Sequence, residues 1–176
     1  MQLALLSGVV LATHADDAVL PAGAYGAAEI LLVPDGFPAL AGSALGGLSL
    51  IDAKALAVAR ITARRNGLIA AGYQHNFGAS AGVRTLDCRT TEDQANWLAL
   101  HGLWSALDPE TMVEVIDAGN AVFATSAETG AGAILALGQW KSAIVVAARN
   151  LKNAVLQAAD AGALAAIDLD DGWPGE

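Results

Sequence analysis

One stretch of the sequence matches a pattern found around catalytic serines. Residues 78–82 read Gly-Ala-Ser-Ala-Gly, which fits the G-x-S-x-G pattern with Ser80 as the nucleophile. Asp87 or Asp93 and then His101 follow in the order, acid before histidine, that such hydrolases use. However, the pattern requires a helix directly after the serine, and the residues that follow here alternate as a strand does. We therefore interpret residues 78–82 as the connection of a β-hairpin, with a small serine hydrolase using Ser80 as an alternative.

Residues with metal-binding chemistry do not occur at metal-binding spacings. His14, His75 and His101 are far apart, and the sequence contains neither H-E-x-x-H nor C-x-x-C. The single cysteine, Cys88, has no partner for an internal disulfide, and its place on a predicted strand favours packing over nucleophilic chemistry. The sequence therefore predicts no catalytic residue, no cofactor and no metal site, and we expect that the chain is not an enzyme.

The acidic balance of the chain argues against several kinds of partner. The formal net charge is −9, with 9 lysines and arginines against 18 aspartates and glutamates. Nucleic acids and anionic membrane surfaces require a basic face, so we expect neither as a partner. The one basic cluster contains Arg60 and Arg64, which share a helix face at their spacing and are expected to be solvated.

The sequence also predicts no membrane insertion. Its most apolar window, residues 131–148, is interrupted by Gln139 and Lys141. Residues 1–12 lack the basic region of a signal peptide, so we expect the chain to fold in a cytoplasm. Much of the apolar fraction of 55% is alanine, which forms helices readily but removes little surface from water on burial.

The order of elements predicts an α+β fold with two parts. A three-stranded antiparallel β-meander is expected at the N-terminus, with strands at residues 2–6, 9–13 and 29–33. A Gly-rich linker at residues 38–50 leads to a helix over residues 52–70, which Gly72 ends. We predict that residues 1–50 form one domain, and that residues 51–176 form an α+β domain with a long C-terminal helix.

Residues 72–100 organise the rest of this predicted domain. Two strands joined by residues 78–82 are followed by a helix with a sharp start. Thr91 and Gln94 form a capping-box pattern, and Thr90 with Asp93 forms a weaker version of it. One apolar stripe follows at helical spacing, formed by Trp97, Leu100 and Trp104.

The sequence of the C-terminal part predicts a second hairpin, at residues 112–125, and then a long alanine-rich helix that ends near Asp160. Thr125 and Glu128 match a capping box at the start of this helix. Apolar residues then recur at heptad spacing, with Lys141 as the one charged member. This heptad seam comprises Ile134, Leu137, Lys141, Ile144, Ala148, Leu151, Val155 and Ala158. We predict a homo-oligomer through residues 125–160; the alternative is a seam buried within the monomer.

Residues 64–100 contain the pattern GY…F…VRTLDCRTTEDQANW, in which two strands lead to an acidic-x-Gln helix start. With this pattern the segment resembles a small domain of unknown function found in tail-fibre and tail-assembly proteins of tailed bacteriophages and prophages. The ending, residues 165–174, is also similar to that family, and the resemblance covers roughly residues 55–176. The matching positions are Gly72, Tyr73, Phe77, Arg84, Arg89, Asp93, Gln94 and Trp97.

The resemblance implies a structural virion component, in the tail or associated with the tail fibre, that acts through protein–protein contacts. Its expected partners are other phage tail or fibre proteins, and its expected location is the virion tail, with the host cytoplasm during assembly. The family supplies no catalytic residues. An alternative is a tail-fibre assembly chaperone that is not retained in the particle.

Overall fold

The computed structural model describes residues 2–6, 9–14, 29–33, 49–79 and 81–175. The α+β class is confirmed, with small antiparallel hairpins and a long C-terminal helix. Within the described residues the strands are β1 (Gln2–Leu6), β2 (Val9–His14), β3 (Glu29–Leu32), β4 (Tyr73–Asn76), β5 (Val83–Leu86), β6 (Met112–Ile116) and β7 (Val122–Ser126). The helices there are α1 (Leu50–Ala71), α2 (Thr91–Trp104), α3 (Ala127–Gln157) and α4 (Ala161–Ala165).

The first sheet contains the three expected strands in a different order from that of a meander. The strand order is β2-β1-β3, so β3 pairs with β1 and β1 lies at the centre. Both pairings are antiparallel. The connection between β2 and β3, residues 15–28, is far longer than a hairpin turn, so nothing in the chain requires β3 to lie beside β2.

Contacts within the chain divide it into two units, Met1–Arg64 with Ala147–Gly172 and Arg65–Val146 with Trp173–Glu176. In the first unit, Lys54 Nζ donates to the carbonyl of Leu156 at 2.8 Å. Arg64 also forms an ion pair with Asp170 at 2.7 Å. Arg60 and Arg64 are partly buried, and the ion pair of Arg64 lies at the surface, so the expected basic face is only partly solvated. The predicted domain division at residue 50 stays a prediction.

The core of the second unit is built from two hairpins, α2 and the first half of α3. Phe77, which directly follows β4, meets Phe123 of β7 edge to face, with 4.8 Å between ring centroids. Ala118 N donates to the carbonyl of Thr85 at 2.8 Å, which joins the β6–β7 connection to β5. The buried cluster contains Phe77, Ala81, Leu86, Trp97, Trp104, Val115, Phe123, Ala127, Ala133, Ile134 and Leu137. Apart from Phe77 and Ala81, which lie in the β4–β5 connection, these are the inward positions of strands and the inner stripes of helices, as the two periodicities require.

Two glycines permit close approaches in this unit. Gly72 has a φ of 80°, and a Cβ at that position would lie 2.7 Å from Thr85 Cγ2 and 2.8 Å from the carbonyl oxygen of Leu86. Its place directly after α1 confirms that Gly72 ends the helix. A Cβ on Gly130 of α3 would lie 2.8 Å from the Trp104 ring, so the indole packs directly on the helix backbone.

The long helix α3 begins one residue later than its predicted capping box. Ser126 Oγ accepts a hydrogen bond from Thr129 N at 3.2 Å, so Ser126 performs the cap. Thr125 and Glu128 do not form the box, because Thr125 faces inward on β7 and is buried. The helix ends at Gln157, and Asp160 caps the separate helix α4 through a hydrogen bond from Ala163 N at 2.8 Å.

The heptad seam of α3 lies inside the chain. Lys141 and Leu151 are half-buried, and the other members, Ile134, Leu137, Ile144, Ala148, Val155 and Ala158, are buried. The seam is therefore not an open surface for a second copy, and self-association through residues 125–160 stays a prediction that has to use another face of the helix. By length and composition alone α3 is also able to cross a membrane, but core helices of soluble proteins share these properties.

Helix α2 is capped one residue earlier than the stronger of the two predicted capping patterns. Thr90 is the cap: it has extended φ and ψ angles, its Oγ1 accepts from Asp93 N at 3.0 Å, and Asp93 Oδ2 accepts from Thr90 N at 2.9 Å. The Thr91–Gln94 pattern is one residue too late, because Thr91 is already helical. Gln94 is instead used for a tertiary contact described below.

We predict that replacing the observed cap destabilises the protein, whereas replacing the expected one does not. Thr90→Ala removes the acceptor for Asp93 N and should lower the free energy of unfolding by about 1 kcal/mol. Thr91→Ala is the matched control, since Thr91 is exposed and alanine favours a helix. Urea unfolding followed by circular dichroism measures both. A larger loss for Thr91→Ala than for Thr90→Ala would contradict the assignment.

Candidate functional site

The corner that follows β5 is held by side chains of α2. Leu86 anchors the end of β5 in the core, at 1% exposure. The carbonyl oxygen of Asp87 then accepts a hydrogen bond from the Trp97 indole N–H. The carbonyl oxygen of Cys88 accepts another from Gln94 Nε2 at 3.1 Å. These two contacts fix α2 across the end of the β4–β5 hairpin. They also satisfy two carbonyl oxygens that lie beyond the end of β5 and so take no part in strand pairing.

The thiol of Cys88 is packed beneath this corner. Cys88 is fully buried, and its Sγ donates to the carbonyl of Ile69 at 3.2 Å. Burial raises the pKa of the thiol, because desolvation disfavours the thiolate. A protonated, inaccessible thiol is suited to packing rather than to nucleophilic attack.

Asp87 and Arg89 form an ion pair at the surface of the corner. Arg89 Nε lies 2.9 Å from each carboxylate oxygen of Asp87, and Arg89 N donates to Asp87 Oδ1 at 3.0 Å. The hydrogen bonds from Arg89 lower the pKa of Asp87, and the same carboxylate raises the pKa of Arg89. Because the Arg89 side chain is mostly exposed, the pair orients the corner more than it stabilises the fold.

Arg84 joins the two hairpins. Its Nε donates to the carbonyl of Ala81 at 2.8 Å, and its Nη1 lies 3.1 Å from Asp117 Oδ2. The guanidinium carbon also lies 5.1 Å from the centre of the Phe123 ring, within the range of a cation–π contact. Arg84 therefore contacts the loop of its own hairpin, the start of the β6–β7 connection and strand β7.

The Asp117 side chain accepts hydrogen bonds from the backbone of the β6–β7 connection to which it belongs. Its Oδ1 accepts hydrogen bonds from Gly119 N and Ala121 N, each at 2.9 Å. The bond from Ala121, then that from Gly119 and the bond from Arg84, lower the pKa of Asp117. Asn120 has a φ of 61°, which asparagine tolerates in such turns.

A cleft of about 550 Å³ lies between α2 and β6. We call it the α2–β6 cleft. Its apolar wall includes Trp97 and Leu100 from α2 and Val115 and Ile116 from β6. Its rim carries four carboxylates and one guanidinium, those of Asp87, Asp93, Glu114, Asp117 and Arg89. Binding clefts commonly combine an apolar wall with a few polar groups in this way.

The residues that suggested chemistry in the sequence are not assembled into a catalytic arrangement within the described part of the chain. Ser80 lies outside the described residues. The loop around it closes a hairpin, with Gly82 N donating to the carbonyl of Gly78 at 2.7 Å. Strand β5 follows, where a nucleophile elbow has a helix. His75 packs edge to face on Phe77, with 4.8 Å between ring centroids.

Metal-binding side chains likewise do not converge. Among the described residues, no group of three or more His, Cys, Asp or Glu side chains is arranged to hold a metal ion. His14 ends β2, and His101 lies in the last turn of α2. The acidic rim of the α2–β6 cleft is instead spread along its length, with each of Asp87, Asp93 and Asp117 engaged in hydrogen bonds of the fold.

Sequence reasoning missed the α2–β6 cleft and the Arg84–Asp117 contact. The sequence carried a signal for the turn, because Asp117-x-Gly119 is typical of an Asx turn, but it carried none for Arg84 as the partner of that aspartate. The cleft had no comparable signal, since its wall combines residues from two elements whose approach depends on the tertiary structure.

A model of the domain of unknown function DUF4376 matches residues 52–171. The chain belongs to the DUF4376 family. The DUF4376 region begins within α1 and includes both hairpins of the second unit, α2, α3 and α4. The α2–β6 cleft and the residues of the corner after β5 therefore all lie within it. No curated protein and no solved structure shows significant similarity to the chain.

We predict that Asp117 makes stability depend on pH in the acid range. A carboxylate with a lowered folded pKa contributes stability above its unfolded value of 3.8, and this contribution is lost as the pH falls through the folded pKa. Asp117→Asn retains an oxygen for the turn but removes the charge. The variant should be less stable than the wild type at pH 7, and the difference should shrink below pH 3.8.

Urea unfolding between pH 7 and pH 2.5, at constant ionic strength, measures this difference. Glu110→Gln is the matched control, since it removes an exposed carboxylate outside the Asp117 network. A gap between wild type and Asp117→Asn that stays constant over the whole range would contradict the prediction.

Proposed function

We propose that the chain is a structural component of the tail, or of the tail-fibre attachment, of a tailed phage or phage-like particle. It acts there through contacts with other tail or fibre proteins rather than through catalysis. Its location is the virion tail, after folding in the host cytoplasm.

The observation that carries this proposal is the set of residues in which the phage-family resemblance is concentrated, all within 72–97 and within the DUF4376 region. Each of them has a role in the fold. Gly72 permits a close approach, Tyr73 lies 5.5 Å from the Trp140 ring, and Phe77 packs on Phe123. The others make the hydrogen bonds and ion pairs described above, namely Arg84, Arg89, Asp93, Gln94 and Trp97.

A pattern built from scaffold residues supports an interaction protein, because such a protein needs a fixed shape rather than an assembled reactive group. The described surface also offers apolar side chains for contact. Met112, Ile116 and Val122 of the β6–β7 hairpin and Leu98 and Leu103 of α2 are each more than half exposed. Clusters of exposed apolar residues are typical of protein-binding surfaces.

Self-association is part of the proposal, through the outer face of α3 in place of its buried seam. Leu135 and Val146 are 55% and 52% exposed, and their separation of eleven residues places them on one side of the helix. Repeated copies in a tail would use such a face.

Mass spectrometry of purified particles tests the proposal. Particles from the phage or prophage-bearing strain that encodes the chain are purified on a density gradient, and peptides of the chain are quantified against those of a known tail protein. The proposal predicts a fixed ratio to that protein in intact particles and in isolated tails. A chain abundant in the lysate and absent from particles would overturn it in favour of the assembly chaperone.

A probe for reactive serines tests the hydrolase alternative separately. The wild type and Ser80→Ala are treated with a fluorophosphonate probe, and we expect no labelling of either. Labelling of the wild type that Ser80→Ala abolishes would contradict a non-enzymatic role.

A further inference from the structure

We propose that the α2–β6 cleft docks a segment of a partner protein that carries lysine or arginine beside apolar side chains. This deepens the proposed function, because it rests on the chain acting through protein contacts and names the surface and the chemistry of its partner.

The wall of the cleft is apolar, and one exposed apolar side chain lies at its edge. Trp97 and Val115 are buried in its wall, at 9% and 2% exposure, and Leu100 is partly buried beside them. Ile116 at the edge of the cleft pairs with Val122 across the β6–β7 hairpin, so both side chains share one face of the sheet. They are 57% and 59% exposed.

The same face extends along β6. Side chains alternate across a strand, so Met112 and Glu114 lie on the exposed face with Ile116, whereas Val115 lies on the opposite, buried face. The cleft is therefore lined by both sides of β6, with Glu114 and Ile116 from its exposed face and Val115 from its buried face, opposite Trp97 and Leu100 of α2.

The negative charge of the cleft lining favours a positively charged ligand. Four carboxylates and one guanidinium line the cleft; Asp87 is paired with Arg89 and Asp117 with Arg84, so the negative charge offered to a ligand comes mainly from Asp93 and Glu114. Glu114 is exposed on the open face and is the carboxylate best placed to meet an incoming cation. A basic segment gains both attraction from the rim and burial of its apolar side chains, and a chain of net charge −9 attracts it from a distance.

The same charges disfavour the other occupants. In a two-fold interface between copies, the rim carboxylates of one copy would face those of the other, and like charges oppose such contact. Nucleic acid and other polyanions are repelled for the same reason. A metal ion lacks a converging group of three ligands among the described residues.

Titration with synthetic peptides tests the proposal on the full-length chain. The probe is a nine-residue peptide of alternating leucine and lysine. One control alternates serine and lysine, which keeps the charge without the apolar side chains, and the other alternates leucine and glutamate. The indole N–H signals of the four tryptophans report the position of binding in two-dimensional NMR spectra.

The leucine–lysine peptide should shift the indole signal of Trp97, while the signals of Trp104, Trp140 and Trp173 stay in place. The serine–lysine peptide should bind about tenfold more weakly, since it buries no apolar surface, and the leucine–glutamate peptide should not bind. An unchanged Trp97 signal, or equal binding of both lysine peptides, would overturn the proposal.

Two charge reversals localise the interaction. Glu114→Lys reverses a carboxylate on the rim, whereas Glu110→Lys makes the same change in net charge at an exposed residue outside the cleft. We expect Glu114→Lys to weaken binding about tenfold and Glu110→Lys to change it less than about threefold. Equal losses in both variants would mean that the peptide binds the overall charge of the chain, and would overturn the cleft assignment.

The outcomes for the cleft and for the tail component are separable. The titration uses the purified chain alone, so absence of the chain from particles would overturn the tail component and leave the titration unaffected. Conversely, a titration without binding would overturn the docking cleft and leave the particle measurement unaffected.

Discussion

Two hydrogen bonds from α2 to the carbonyl oxygens of Asp87 and Cys88 determine the arrangement of the second unit. Trp97 and Gln94 donate them, and they hold the helix across the end of β5. The cap at Thr90 fixes where the helix begins, so the two donors reach the carbonyls in register. Because the Trp97 indole is oriented by its hydrogen bond, its ring packs in the core and also lines the α2–β6 cleft.

The second constraint is the position of Arg84 between the hairpins. Its guanidinium contacts the Ala81 carbonyl, the Asp117 carboxylate and the Phe123 ring. The β6–β7 hairpin, which forms the other wall of the cleft, is therefore placed by a side chain of β5. The residues that carry the family resemblance thus shape a surface. This accords with the proposed role, which is to contact other proteins.

The sequence predicted those features that depend on local periodicity. The hairpins on either side of α2, the termination of α1 at Gly72 and the burial of Trp97 and Trp104 follow from alternation, turn residues and helical spacing. The errors arose where tertiary structure decides. Overlapping capping patterns at Thr90 and Thr91 differ by one residue, and the folded backbone makes Thr90 the cap because Thr90 is extended whereas Thr91 is already helical. The heptad seam was read correctly as apolar, but sequence spacing does not say whether the same chain or a second copy covers it. The cleft likewise depends on how α2 meets β6.

The unfolding free energies of Gln94→Ala and Trp97→Phe test most directly the central claim that these residues act through the fold. Each variant removes one donor to a carbonyl at the corner after β5, and the account predicts a loss of about 1–3 kcal/mol in the full-length chain. Leu98→Ala, at a site 74% exposed on the same helix, is the control and should change stability by less than about 0.5 kcal/mol. Unchanged stability in Gln94→Ala and Trp97→Phe, together with loss of the chain from purified particles, would contradict the account, because the residues would then act at a contact site rather than as the framework of the fold.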